Sequence, residues 1–432
     1  MNLTEAYLLL AVMLAVVAVV SVLFKGKSGL IAPLIFVAGL ITALVAGLGF
    51  RLREVTEGPF VFVDTLMWVL CGAAFSYLLY VNGTFQFLFA KVVGKKRSPA
   101  AQMFILILFI GLPGMITGTA LASVATTGLM AGRYLLDKGM EKSKVVEVVT
   151  VGALMGMLLP PLCVPAMAPT IARQGLYPGA FEGYFLPILI LALPALIVYC
   201  ALAGRRVLGE WEADGNVEKT GSAVCLIPLA VVAVLVLCYN FLYFLIPYYG
   251  GYPVIYLIGF VLALIFKCKG ANPLIAAADG IRTVAVELAL ILAYASVVET
   301  FNLVGVNGTL SAQMEIAGIN GAVVALGLLV LAGGLLLGTP FAYVVGALAT
   351  YLVSNSNYGS YELSMMAVGA AIAMSMFLAL RGSLAETVGE TLGVTGVTGT
   401  EVVKRNIIFT LVLTAAIVVF LVAGSSLKFL MI

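Results

Sequence analysis

One segment of this chain occurs twice, and the second copy has lost its positive charge. The first copy reads Asn82-Gly83-Thr84, followed by an apolar stretch interrupted by Gly111-Leu112-Pro113-Gly114-Met115-Ile116-Thr117-Gly118-Thr119. The second reads Asn307-Gly308-Thr309, followed by an apolar stretch interrupted by Gly333-Gly334-Leu335-Leu336-Leu337-Gly338-Thr339-Pro340. Gly118 and Gly338 lie 220 residues apart, as do Gly139 and Gly359, which end the two stretches. Lys91, Lys95, Lys96, Arg97, Arg133, Lys138, Lys142 and Lys144 flank the first copy, whereas no Lys or Arg occurs from Thr300 to Leu380. Lys and Arg mark the cytoplasmic side of short membrane loops. The same unit is therefore expected to enter the membrane from opposite faces.

Composition supports a membrane setting. The 432 residues are 63% hydrophobic and 10% charged, with a mean hydropathy of +1.16. Successive apolar runs approach or exceed the ~20 residues that span a bilayer as a helix, and the short alternating segments of a β-barrel are absent. The first run, Ala6 to Phe24, is followed rather than preceded by Lys25 and Lys27, so it reads as a retained helix ending in the cytoplasm, not a signal peptide. The six cysteines lie in or beside apolar runs with no CxxC pair, which suits packing rather than disulfides or zinc. Histidine is absent, removing the commonest metal ligand and the usual proton relay. No Gly-Lys-Ser/Thr phosphate loop is present, so ATP hydrolysis is not expected, and nothing supports nucleic-acid binding. No nucleophile–base pair points to an enzyme.

The apolar pattern divides the chain into N-terminal scaffold helices (1–58), a first repeat (59–206), a polar cytoplasmic linker (207–221), further scaffold helices (222–270), and a second repeat with a final helix (271–432). The expected fold is all-α and polytopic, with roughly ten crossings and two re-entrant hairpins. In the first repeat the hairpin spans about 99–136, and a helix over about 145–177 breaks at Pro160-Pro161. In the second, the hairpin spans about 319–354 and the broken helix about 363–392, interrupted at Ala379-Leu380-Arg381-Gly382-Ser383. Phe85 to Gly94 reads as an interfacial helix. Tyr248, Tyr249 and Tyr252 read as an aromatic belt on the outer side. Nearly every Lys/Arg cluster falls on the cytoplasmic side, Arg51 and Arg53 excepted, which places both termini outside.

Inverted repeats around interrupted apolar segments are the signature of secondary transporters. Unwound backbone is tolerated in a membrane where it is buried or lines a cavity. Free carbonyls and hydroxyls at such places are hard oxygen ligands suited to Na⁺, and half-helix N-termini favour an anion. The expected Na⁺ ligands are Thr117, Gly118, Thr119, Leu159, Pro160, Gly338, Thr339 and Gly382; the expected substrate contacts are Thr119, Pro161, Thr339, Arg381 and Ser383. An isolated Gly-Thr would more simply mean close helix packing; its recurrence in two over-long apolar stretches favours a site. Arg381 ends an apolar run, where a cation costs ~2.5–3.5 kcal/mol on insertion scales and needs a partner. That partner is either a substrate carboxylate or Glu386, one turn on. Asp64, Glu287 and Glu299 are acids that could carry a proton or sodium; Asp64 and Glu287 read rather as interfacial, or paired with a base such as Arg282. Glu299 is the candidate coupling charge if the protein is an exchanger.

From Asp64 to about Pro169 the chain resembles the large membrane subunit of TRAP transporters, the tripartite ATP-independent periplasmic uptake systems. The shared features are a helix, a small connector and a basic patch, then the hairpin tip Gly114 to Thr119, the return helix Ala120 to Gly128 and the break at Pro160-Pro161. The resemblance implies Na⁺-driven import of an organic acid by an elevator motion across a bacterial inner membrane. It also implies a small membrane partner subunit and an extracytoplasmic substrate-binding protein. Two departures stand out. Leu162 replaces the hydroxyl residue that usually follows Pro-Pro, and Ala379 to Ser383 replaces a Thr-Pro-Pro type sequence. A proton-coupled carrier or exchanger working alone, and a scaffold that kept the fold without transporting, are the alternatives.

Overall fold

A computed structural model describes residues 3–24, 28–58, 60, 63–159, 182–209, 212, 223–241, 251–267, 269–270, 272–317, 319–338, 345 and 361–423. Among these the chain is all-helical. Four helices are long and apolar enough to cross a membrane, or up to six if each of two bent pairs is one span, and shorter apolar helices accompany them. The protein is a multi-pass membrane protein.

The first half opens with α1 (Leu3–Leu23) and α2 (Ser28–Val45), then a short α3 (Leu52–Glu57). Helix α4 (Val63–Val81) bends by 66° into α5 (Thr84–Val93) at Gly83, whose φ of +87° only glycine adopts without strain. Helix α5 is where the sequence places it, but its Phe85, Phe87 and Phe89 are buried rather than spread on a surface. Phe85 and Phe89 close on Phe109, and Phe89 also on Tyr134, because burying three aromatic rings among neighbouring helices gains more contact than an interfacial position. Ser98 caps α6 (Pro99–Thr117), with Pro99 in the first turn, where its missing N–H costs nothing. After Gly118 and Thr119 the chain returns through α7 (Ala120–Ser123), a π-turn (Val124–Gly128) and α8 (Leu129–Asp137). Helix α9 (Lys142–Leu158) is buried at every position from Val145 onward. It stops immediately before the Pro160-Pro161 pair, as proline chemistry requires. Residues 160–181 lie outside the described set, as do the second arm of the expected break and both prolines.

Among the described residues the second half runs in a similar order. After α10 (Glu182–Leu208), helices α11 (Ile227–Phe241) and α12 (Gly251–Ile265) precede the long α13 (Pro273–Val304), capped by the Asn272 side chain. Gly305, at φ +79°, turns the chain into α14 (Val306–Ala317), and α15 (Ile319–Leu337) runs to Gly338 at φ +86°. Helices α6 and α15 are each 19 residues long, begin 220 residues apart, and end on left-handed glycines 220 residues apart. Helix α16 (Tyr361–Leu392) follows, then α17 (Gly399–Arg405), bent by 69° from α18 (Ile407–Ala423).

Contacts cross between the halves. Helix α2 packs on α13, while α12 packs on α4, and α4 and α13 pack on each other. Gly280 makes the α4–α13 crossing close, since a Cβ there would sit 2.5 Å from the Ala73 carbonyl. Within each half the hairpin arm packs on the helix that follows it, α6 on α9 and α15 on α16. A glycine makes each of these contacts close. Gly114 meets Gly156, and Gly334 meets Ser375, whose hydroxyl donates to the Val330 carbonyl at 2.7 Å.

Two expectations are corrected here. Helix α16 is continuous across Ala379 to Ser383, so no second break exists at that point. Without a proline nothing removes a backbone donor, and the single Gly382 costs only about 1 kcal/mol in a helix, which packing against Gly399 offsets; a Cβ on Gly399 would lie 2.3 Å from the Gly382 carbonyl. Tyr252 is not part of a surface belt: it is buried, with Trp68 at 5.7 Å, Tyr239 at 5.2 Å and Tyr256 at 6.1 Å between ring centroids. Tyr248 and Tyr249 lie outside the described residues.

At the end of α9 opposite Leu158, charges tie three helices together. The buried Glu147 carboxylate accepts from the Tyr199 hydroxyl at 3.0 Å and from the Arg206 guanidinium at 2.7 Å. Arg405 reaches Glu141 at 2.9 Å and Glu401 at 3.2 Å. The Ser143 hydroxyl and the Arg405 guanidinium together pull the Glu141 carboxyl down to about 2.

Candidate functional site: the first hairpin tip

Gly118 takes φ +72°, which lets the chain reverse in two residues between α6 and α7. The reversal gathers hydroxyls. The Thr117 hydroxyl donates to the Pro113 carbonyl at 2.8 Å and lies 3.0 Å from the Thr119 hydroxyl, while the Thr119 N–H donates back to Thr117 Oγ1 at 3.2 Å. Across the hairpin the Gly114 N–H donates to Ser123 Oγ at 2.8 Å and the Thr127 hydroxyl to the Ile110 carbonyl at 2.7 Å. Thr127 lies in the π-turn, a local widening often found at functional sites. Thr117, Thr119, Ser123 and Thr127 are all buried.

Helix α9 brings its C-terminal end to this tip. Gly111 and Gly114 contact Gly156, so Leu158 and Leu159 end the helix beside the hairpin, with the negative end of its dipole there. The sequence places Thr117, Gly118, Thr119 and Leu159 in one site, and the described backbone brings these elements together. Helix α4 supplies another wall: a Cβ on Gly72 would lie 2.9 Å from the Ile116 carbonyl.

The sequence reading of Glu287 as interfacial, or paired with Arg282, is corrected here. Glu287 does not pair with Arg282, which binds Asp279 at 3.1 Å. It is 7% exposed on α13, where its carboxyl meets the Thr119 hydroxyl, and its Oε2 is buried with no hydrogen-bond partner. The contact crosses from the second half to the first, so no local spacing could reveal it.

The other expected site residues are distributed differently. Gly338 ends α15 as a left-handed cap, the counterpart of Gly118; Thr339, Pro160 and Pro161 lie outside the described residues. Gly382 and Ser383 sit inside α16, where the Ser383 hydroxyl donates to the Leu380 carbonyl at 3.2 Å, so this stretch frees no backbone for an ion. Arg381 is half-buried, and among the described residues it has no ion pair, with Glu386 or otherwise. Glu299 accepts from Asn302 at 3.3 Å and packs on Gly58. The Asp64 side chain lies outside the described set. Among the described residues no cluster of His, Cys, Asp and Glu could hold a metal ion.

No protein-family model matches this chain, and no curated protein matches it by sequence. Its fold does have solved counterparts. The YdaH transporter of Alcanivorax borkumensis is similar with a TM-score of 0.60 at 14% identity, over 86% of this chain and 87% of that one. MtrF of Neisseria gonorrhoeae, described as illuminating a class of antimetabolite efflux pumps, is similar with a TM-score of 0.55 at 13% identity, over 89% and 84%. The chain therefore shares the fold of these two membrane transporters.

Proposed function

We propose that this protein is a secondary active transporter that couples Na⁺ to the movement of a small organic acid across a bacterial inner membrane. The observation that carries the reading is the buried, hydroxyl-rich tip Thr117-Gly118-Thr119 held against the end of α9. Buried hydroxyls and helix-end carbonyls suit a hard monovalent cation, and a half-buried Arg381 without an ion partner suits a carboxylate. The two halves would sit inverted in the bilayer, with α6–α9 and α15–α16 moving against the α2, α4, α12 and α13 scaffold. In the tripartite form of this reading the chain is the permease beside a small membrane subunit and an extracytoplasmic binding protein. A second reading, a carrier working alone in either direction, is favoured by the likeness over 84–89% of each chain to two transporters, one described as illuminating a class of efflux pumps.

Thermal unfolding of the purified protein tests the coupling ion, with K⁺ replacing Na⁺ at constant ionic strength. A Na⁺-specific rise in Tm that Thr119→Ala removes is the expected result. A flat response in the unaltered protein sinks the sodium reading. For the substrate, Arg381→Gln is expected to reduce carboxylate uptake into liposomes at least about tenfold, the loss of one charge-assisted pair. Uptake that survives intact would remove Arg381 from the substrate path. Uptake by the chain alone would favour the single-carrier reading; uptake only with added subunits would favour the tripartite one.

A further inference from the structure

Glu287 is a buried carboxyl with nothing to balance it. An ionised carboxylate away from water needs a counter-charge and hydrogen bonds, yet one of its oxygens has no partner. Among the described residues, the bases on the elements around it are bound elsewhere. Helix α2 has no charged residue, and the hairpin has none from Pro99 to Gly132. Helix α4 contributes the titratable Cys71, Tyr77 and Tyr80, and Asp64, whose side chain lies outside the described set. On α3, Arg53 is bound to Glu57, and just before it Arg51 donates to the Leu48 carbonyl; the side chain of Glu54 is outside the described set, as is that of Glu315 on α14. On α13 itself Arg282 is bound to Asp279, Glu299 accepts from Asn302, and the Tyr294 side chain is not described. What does face Glu287 is oxygen: the Thr119 hydroxyl, itself 3.0 Å from that of Thr117.

We infer that Glu287 and the Thr117 and Thr119 oxygens form the site of the coupling cation, a monovalent ion that is either Na⁺ or a proton. This rests on the transport reading above and goes beyond it in where the charge is carried. The site is split between two bodies: α13 is anchored on α2 and α4, whereas the hairpin is anchored on α9. Displacing the hairpin separates Thr119 from Glu287. Cation occupancy and hairpin position are then linked quantities, since whatever favours the closed contact also tightens the ion. A purely structural role, in which Glu287 only holds Thr119 in place, gives no dependence on Na⁺ and only the rise in stability with acid that any buried carboxyl gives.

The test uses the full-length protein in detergent. Tm is recorded against Na⁺, with K⁺ as the replacement ion, at one mildly acidic and one mildly alkaline pH. The unaltered protein is expected to gain stability from Na⁺, from acid, or from both. Glu287→Gln, neutral but of the same shape, is expected to be stable without either and to lose the response. Loss of the Na⁺ response identifies sodium as the ion; where only the pH response is lost, the proton is the ion if Glu287→Gln also abolishes uptake driven by a pH gradient in liposomes, and unchanged uptake marks Glu287 as merely buried and overturns the inference. Glu287→Asp, which keeps the charge but withdraws it by one methylene, is expected to shift the half-effect concentration upward, and it decides the matter if the Gln variant does not fold. A Gln variant that responds like the parent, an Asp variant with an unchanged half-effect concentration, or a parent insensitive to both ions overturns the inference. Failure of the transport reading is separable: it shows as no gradient-driven carboxylate movement in liposomes, whatever Glu287 does to Tm.

Discussion

Replacing Gly156 with valine is expected to force α6 and α9 apart and to lower stability by about 3 kcal/mol, the upper end of the usual cost of overpacking. Even a single Cβ at Gly156 would lie 2.4 Å from the Gly111 carbonyl oxygen and 2.6 Å from its Cα. Both are backbone atoms, so no rotamer change relieves the clash. Valine adds two further methyls at the point where α9 meets the hairpin tip, so transport is expected to fall together with Tm. Gly308→Ala is the control, because a Cβ there meets nothing within 4 Å. Thermal unfolding in detergent reads the difference. Equal Tm for the two variants would mean that the hairpin does not rest on α9 through backbone contact.

The second large effect is expected at the other end of α9. Arg206→Ala leaves the Glu147 carboxylate, whose side chain is fully buried, with the Tyr199 hydroxyl as its remaining close donor. Stranding one member of a buried pair typically costs about 3–5 kcal/mol; about 2–3 kcal/mol is expected here, because Arg206 is half-exposed and water already shares its charge. Adding Glu147→Gln should recover part of that loss, since a neutral amide no longer demands a counter-ion. A double-mutant cycle on Tm gives the coupling. If the double variant is no more stable than Arg206→Ala alone, the stranded charge is not the source of the cost.

What the sequence made legible was whatever chain-local chemistry controls. Pro99 and Ser98 start α6, Gly118 ends it with a left-handed turn, and the Pro160-Pro161 pair stops α9 at Leu158. The repeat was visible because Gly118 and Gly338 serve the same backbone need at the same spacing. Misreadings arose where tertiary packing overrules a local cue. Gly382-Ser383 after a buried arginine looked like a break, but with no proline the helix continues and Gly382 serves contact with Gly399. Tyr252 follows a tyrosine-rich sequence that reads as an interfacial belt, yet it lies in α12 and its ring packs on Trp68, far away in sequence. Glu287 was illegible for the same reason, since its partner Thr119 belongs to the other half of the chain.

The exchanged packing of the two halves has a bearing on biosynthesis. Helix α4 crosses α13 through Ala73 and Gly280, a contact closing a loop of about 200 residues. When the ribosome has released the first hairpin, the helices that will cover α4 have not been made. Nascent α4, with its small-residue face at Gly72 and Ala73, must wait beside lipid or an insertase until translation is two-thirds complete. A message truncated after the linker would therefore yield a product lacking the α4 partners α12 and α13, a substrate for quality-control proteolysis rather than a half-sized working unit.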